Sequence, residues 1–158
     1  MRELSPEFDS EVTLRVAEPR DAKACRDLDR RCFPPEVAYD LAGFEVLCAE
    51  YSVRTVAEQH GRIVGMIFAE AEPENGLGLI ITVDVDPDFR RRGLGARLMD
   101  AAERQLAALS VREVYLHFYT PHEEALRLYR QRGYVLKRRL RSYYGPGNDA
   151  LLMAKTLE

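Results

Sequence analysis

Three features of the chain have residue types and spacing that suit chemistry. The first is the run Arg90, Arg91, Arg92, Gly93, Leu94, Gly95 and Ala96, which follows an apolar strand pattern through Val83, Asp84 and Val85 and leads into a helical pattern. Backbone N–H groups at a helix start lack partners within the helix, and the aligned peptide dipoles add partial positive charge there. With arginines beside them and glycines that let the backbone approach, such groups suit a pyrophosphate. The same arginines read equally as the solvated start of a surface helix. Two familiar phosphate loops are excluded by inspection. No Lys-Ser or Lys-Thr follows the glycines, as a P-loop requires, and Leu98 stands where a dinucleotide loop needs its third glycine.

The second feature is His117, in the alternating run Tyr115–Tyr119. An imidazole with an ordinary pKa near 6.5 suits taking a proton from an amine, although one histidine on such a strand also reads as a packing residue. The third is Tyr129, a proton donor of high pKa. It falls four residues after Ala125 and three after Leu126, so it shares a helix face with apolar neighbours and on those residues alone reads as core. The three cysteines, Cys25, Cys32 and Cys48, fit neither a C-x-x-C pair nor a zinc spacing and read as reduced thiols of a cytoplasmic protein. None of them is close in sequence to the glycine loop or the strand before it, which argues against a covalent cysteine intermediate there. No metal site is expected.

The elements that must position these groups follow from periodicity. Residues 1–11 read as a loosely held tail and residues 12–158 as one domain. VTLRV alternates as a strand from Val12. Ala22, Ala24, Cys25, Leu28 and Cys32 recur at helical spacing until Pro34 and Pro35, and a second helix is expected over Val37–Glu50. Two strands then flank a turn at His60 and Gly61. LGLIITVDVD is expected to place Leu79, Ile81, Val83 and Val85 on one face. Leu94, Leu98, Ala102, Leu106 and Leu109 form a helical stripe ahead of a strand from Val111, and strand, helix, strand implies a parallel crossover. The next helix is expected to start at a Thr120 cap, with Pro121 and a Glu123 capping box, and to end before Gly133. Two further strands flank a GPGN turn. The expected fold class is α/β (α+β), with a mixed sheet.

Arg90-x-x-Gly93-x-Gly95-Ala96 after a V-x-V strand, together with YLHFYTPHEEALRLYRQRGYV, resembles the GNAT acetyltransferase superfamily. The second segment is similar to the family's strand, N-x-x-A-x-x-L-Y and closing G-[FY], met here by Ala125, Leu128, Tyr129, Gly133 and Tyr134. The resemblance runs from about Val12 to Leu157. It implies a mostly antiparallel sheet of about seven strands with a splayed parallel central pair and about four helices. It also implies acetyl-CoA as co-substrate, with the pantetheine arm along Val83, Asp84 and Val85 and the pyrophosphate on the amides of Arg91 to Ala96. On this resemblance Tyr129 is the acid that protonates the leaving thiolate and His117 the base. His122 and Ala125 complete the cofactor side, His122 standing where the family usually has asparagine.

CFPPE and SYYGPGNDALLMAKTL look like the substrate-lining segments of ribosomal-protein-alanine N-acetyltransferases, which implies Phe33, Tyr39, Tyr143 and Tyr144 around a peptide α-amine. Glu70, Glu72, Asp84 and Asp86 are candidates to attract that amine. The alternatives are a polyamine or antibiotic N-acetyltransferase and a non-catalytic acyl-CoA-binding module. The chain has 158 residues, 46% hydrophobic and 31% charged, with a net charge of −3. That is enough apolar material for one core without staples, and mixed charge gives no reason to expect direct nucleic-acid binding. No apolar run is long enough for a membrane helix. A monomer or homodimer is expected.

Overall fold

The computed structural model describes residues 11–158, so the expected tail lies, but for Glu11, outside the described residues. Seven strands form one mixed sheet in the order β1-β2-β3-β4-β5-β7-β6. They are β1 (Thr13–Val16), β2 (Val53–Gln59), β3 (Arg62–Glu72), β4 (Leu77–Val85), β5 (Glu113–Tyr119), β6 (Val135–Leu140) and β7 (Ala150–Thr156). Four α-helices accompany them: α1 (Ala22–Cys32), α2 (Leu41–Glu50), α3 (Leu94–Ala108) and α4 (Glu123–Gln131). Only β4 and β5 pair in parallel among the described strands, and α3 supplies the crossover that a parallel pair needs.

Alternation along the strands divides the core into two layers. On one face Leu98, Met99, Ala102 and Leu106 of α3 pack with Ile67, Ile80, Val114 and Leu116. On the other, Cys25 and Leu28 of α1 and Phe44 and Leu47 of α2 pack with Val56, Met66 and Phe68. The β2–β3 turn sits at His60 and Gly61, as the sequence predicts, with φ of 50° and 77°, the left-handed pair that a tight hairpin requires. Among the described residues no helix is long and apolar enough to cross a membrane.

Three sequence expectations need correction. Phe68 pairs with Thr82 but Ala69 pairs with Ile80, so Ile81 is an extra residue in β4. This bulge switches the strand's faces. Ile80, Val83 and Val85 pack toward α3, while Ile81 packs on the α1–α2 side, so Leu79, Ile81, Val83 and Val85 do not share a face. The second helix starts at Leu41 rather than Val37, because the Asp40 carboxylate caps it by accepting from the Gly43 N–H at 2.8 Å. The last helix starts at Glu123, with His122 at its cap. Thr120 precedes a proline, which disfavours helical dihedrals, and its N–H goes instead to the Asp149 carbonyl at 3.2 Å.

Candidate active site

The parallel ladder joins Leu77–Ile80 to Glu113–Leu116 and stops there. Beyond it β4 stays paired to β3 as far as Val85, and β5 to β7 as far as Tyr119. Each strand is held on its outer side and a gap opens between them. The Val85 carbonyl points to that gap, where it accepts from Arg90 Nε at 3.1 Å and Cys32 Sγ at 3.5 Å. Residues two apart present their backbone groups to the same edge, so those of Val83 face the gap as well.

A groove of about 340 Å³ runs from the gap to the start of α3. Its lining includes Val83 to Val85, Arg90, Arg91, Gly93 to Ala96, His122, Ala125 and Tyr129. Arg92, expected with them, is not in the lining, and its guanidinium lies 5.4 Å from the centre of the Phe89 ring. Arg91 and Gly93 both take positive φ, 64° and 79°, which turns the chain so that α3 begins at Leu94, with Gly93 to Ala96 in the groove lining. Gly93 meets the need for that conformation. Gly95 has a different reason: a Cβ there would come within 3.1 Å of Leu128 Cδ2, so its absence lets α4 close on the loop. Asp86 anchors the loop from beneath, accepting from Arg31 at 2.5 Å, Arg62 at 2.7 Å and the Asp88 N–H at 2.9 Å.

The distance in sequence between the cysteines and this loop does not carry into the fold. Cys32, at the end of α1, lines the groove. Burial, helped by the nearby Asp84 carboxyl, pushes its thiol up to about 12, which keeps it protonated and a poor nucleophile.

A smaller cavity, about 50 Å³, lies on the other side of the gap. Phe33, Tyr39, His117, Tyr119 and Tyr144 line it, and Phe33, Val83, His122, Ala125 and Tyr129 line both spaces. Phe33 stacks on His122 with centroids 4.8 Å apart. Tyr129 is 5% exposed and packs against Phe118 and Tyr134. Burial, then the charge of Asp84, raises its phenol above the ordinary range, so it stays protonated. His117 points away from Leu116 and Phe118 and sits between two phenols: Tyr144 Oη is 3.1 Å from Nδ1 and Tyr143 Oη 3.1 Å from Nε2. Burial lowers its pKa and keeps the ring neutral. Tyr143 is half-exposed and stands behind His117 rather than in the cavity wall.

The characteristic sequence pattern of the acetyltransferase (GNAT) family matches residues 22–134. The chain belongs to the GNAT acetyltransferases. It is similar to the N-alpha-acetyltransferase of Sulfurisphaera tokodaii, with 29% identity over 159 residues, 93% of this chain and 94% of that protein. Its fold matches the crystal structure of Ard1 from Thermoplasma volcanium with a TM-score of 0.85 and 26% identity, over 94% of this chain and 99% of that one. It also matches the ribosomal-protein-S18-alanine N-acetyltransferase of Escherichia coli with a TM-score of 0.79 and 22% identity, over 93% and 94%, a likeness of fold. The seven-stranded mixed sheet with its parallel β4–β5 pair is the GNAT fold, and the enzyme is an N-acetyltransferase.

Within this GNAT site three of the four acidic candidates, Glu70, Glu72 and Asp86, differ from expectation. Glu70 and Glu72 pair with Leu79 and Leu77, at the end of β4 where the ladder is closed, and Asp86 is committed to Arg31 and Arg62. Asp84 is 1% exposed and turns toward α1. There it meets Asp29, a cavity-lining residue that the sequence reading missed. A signal existed: Ala22, Cys25, Asp29 and Cys32 fall at helical spacing on one face.

Proposed function

We propose that residues 12–158 act as one unit that transfers the acetyl group of acetyl-CoA to the α-amine of a peptide or protein N-terminus. The observation that carries this is the meeting of the groove and the cavity at the β4–β5 gap, with Tyr129 in the wall of both and His117 on the cavity side. The groove suits the co-substrate, with pantetheine beside Val83 and Val85 and pyrophosphate at the first turn of α3. Exposed N–H groups of β4 polarise the thioester oxygen, each such donor contributing about 3 kcal/mol in the transition state.

The cavity side takes the amine. An α-amine has a pKa of about 7.7 to 8.0 against about 10.4 for lysine, so it needs far less help to lose a proton. The proton leaves the ammonium through the Tyr144 hydroxyl to His117 Nδ1, while Nε2–H donates to Tyr143. The neutral amine attacks the thioester carbonyl, and the C–S bond breaks. Tyr129 gives its proton to the departing thiolate. The second amine proton, acidic once the nitrogen is acylated, passes to the Tyr129 phenolate, leaving the amide, the free thiol and an imidazolium that returns its proton to water. The similarity to an N-alpha-acetyltransferase over nearly the whole chain supports a protein α-amine as acceptor. Tyr129→Phe and His117→Ala, assayed with saturating acetyl-CoA and peptide, test the assignment: both lose turnover, and undiminished turnover in both contradicts it.

A further inference from the structure

Asp29, on α1, and Asp84, on β4, are each 1% exposed. Their carboxyls are within hydrogen-bond reach of each other, and Asp29 Oδ1 and Asp84 Oδ2 are the atoms with no other donor among the described residues. The remaining oxygens are committed. Tyr39 donates its N–H to Asp29 Oδ2 at 2.8 Å, and Thr82 its hydroxyl to Asp84 Oδ1 at 2.6 Å. Two carboxylates this close in a dry site cannot both ionise, so one proton lies between them and the pair carries one negative charge. Burial raises both carboxyl groups, which favours that proton.

The groups around the pair are Cys25 and Cys32 of α1, Tyr39 of the α1–α2 connection, Tyr129 of α4 and Tyr144 of the β6–β7 loop, which all feel its charge. Each is a thiol or phenol whose pKa is raised, so none supplies a compensating positive charge. Arg90 acts on Cys32 but also binds the Val85 carbonyl. Asp29 is the one carboxyl residue in the cavity lining, and the two histidines there, His117 and His122, are held neutral by burial. An anion enclosed in this way is costly unless a cation joins it.

We propose that the Asp29–Asp84 pair is the cation-recognition element of the acceptor cavity: it draws the acceptor in as its ammonium form and selects cationic amines over neutral molecules of the same shape. The pair then offsets the imidazolium formed when His117 takes the proton. This rests on the acyl-transfer reading above. In chemical balance, ammonium and neutral imidazole become amine and imidazolium, and the proton shared by the two aspartates does not leave them.

The test is the Asp29→Asn, Asp84→Asn double variant, which keeps a hydrogen bond across the pair and removes its charge, beside the two single variants, each of which keeps one carboxylate. Peptide KM is measured with an alanine-initiated peptide from about pH 6, where an α-amine is mostly ammonium, to about pH 9, where it is mostly neutral. The expected result is a KM raised about tenfold in the double variant at the acid end, the ratio to wild type narrowing as pH rises, with smaller rises in the single variants. Acetyl-CoA affinity by calorimetry and the melting temperature check that the variants are folded. A folded double variant whose KM follows wild type at every pH overturns the proposal, as do single variants equal to the double, which assign the effect to geometry. If wild type acetylates no peptide but does acetylate a polyamine, the acceptor reading fails while the charge test is repeated on that amine.

Discussion

The Tyr144 hydroxyl lies 3.1 Å from Nδ1 of His117, and the opposite ring nitrogen faces Tyr143 at the same distance. Both ring nitrogens are therefore occupied, and the imidazole communicates with the cavity through a phenol. His117 must be unprotonated to act, so activity is lost as pH falls through its pKa. Burial depresses that pKa below 6.5, and the acid limb of kcat should lie correspondingly lower than for an ordinary histidine. In His117→Gln that limb disappears and kcat falls by about two orders of magnitude. Tyr144→Phe breaks the relay and lowers kcat while leaving acetyl-CoA affinity intact. Rate against pH for the three proteins checks this.

Tyr129→Phe keeps the ring packed against Phe118 and Tyr134 and removes only the hydroxyl. Turnover is expected to drop about a hundredfold or more with little change in melting temperature. The loss should be smaller with an acyl donor whose leaving group has a low pKa, because such a group departs without a proton. A comparison of natural and activated thioesters reads this out.

Asp86→Ala removes the acceptor that Arg31, Arg62 and the Asp88 N–H share. The two arginines are half-exposed and regain water, so the cost is about 2 kcal/mol rather than that of a fully buried pair. Since the anchored turn leads directly into the loop, acetyl-CoA KM should rise as well. Gly93→Ala, which strains a φ of 79°, is expected to cost about 1 kcal/mol and weaken acetyl-CoA in the same way. Thermal melts and acetyl-CoA titrations test both.

Stability should also carry the signature of the Asp29–Asp84 proton. The folded pKa of Asp84 is raised well above its ordinary 3.8, so the folded chain holds a proton that the unfolded chain releases. Stability from this source is fully present below about pH 4 and is lost as pH rises through the folded pKa. The melting temperature of wild type relative to the Asp29→Asn, Asp84→Asn variant should therefore decline from acid toward neutral pH.

Much of the geometry on the groove side was legible in the sequence. Gly93, Gly95 and the strand before them are local in sequence, and local spacing reports a turn, a helix start and its free N–H groups directly. The helix carrying Tyr129 was legible for the same reason, apart from its first turn, which a Thr120–Asp149 contact across the β6–β7 loop decides. What was not legible depends on register. Whether Ile81 or Ile80 faces α3 depends on a bulge opposite Phe68 and Ala69, which no alternation within β4 announces. The nearness of Cys32 to Val85, and of Asp29 to Asp84, arises from α1 lying across β4. Asp29 lies in a stretch of arginines and aspartates and was not singled out, although its spacing matches the buried stripe.

The most direct measurement of the central claim is mass spectrometry of acetyl-CoA reactions with three acceptors: a peptide with a free α-amine, the same peptide blocked at its terminus but bearing a lysine, and a polyamine. The account predicts acetyl transfer to the free α-amine, reduced about a hundredfold in initial rate in Tyr129→Phe and His117→Ala. Acetylation confined to the lysine or the polyamine, or no transfer despite acetyl-CoA binding, would contradict it.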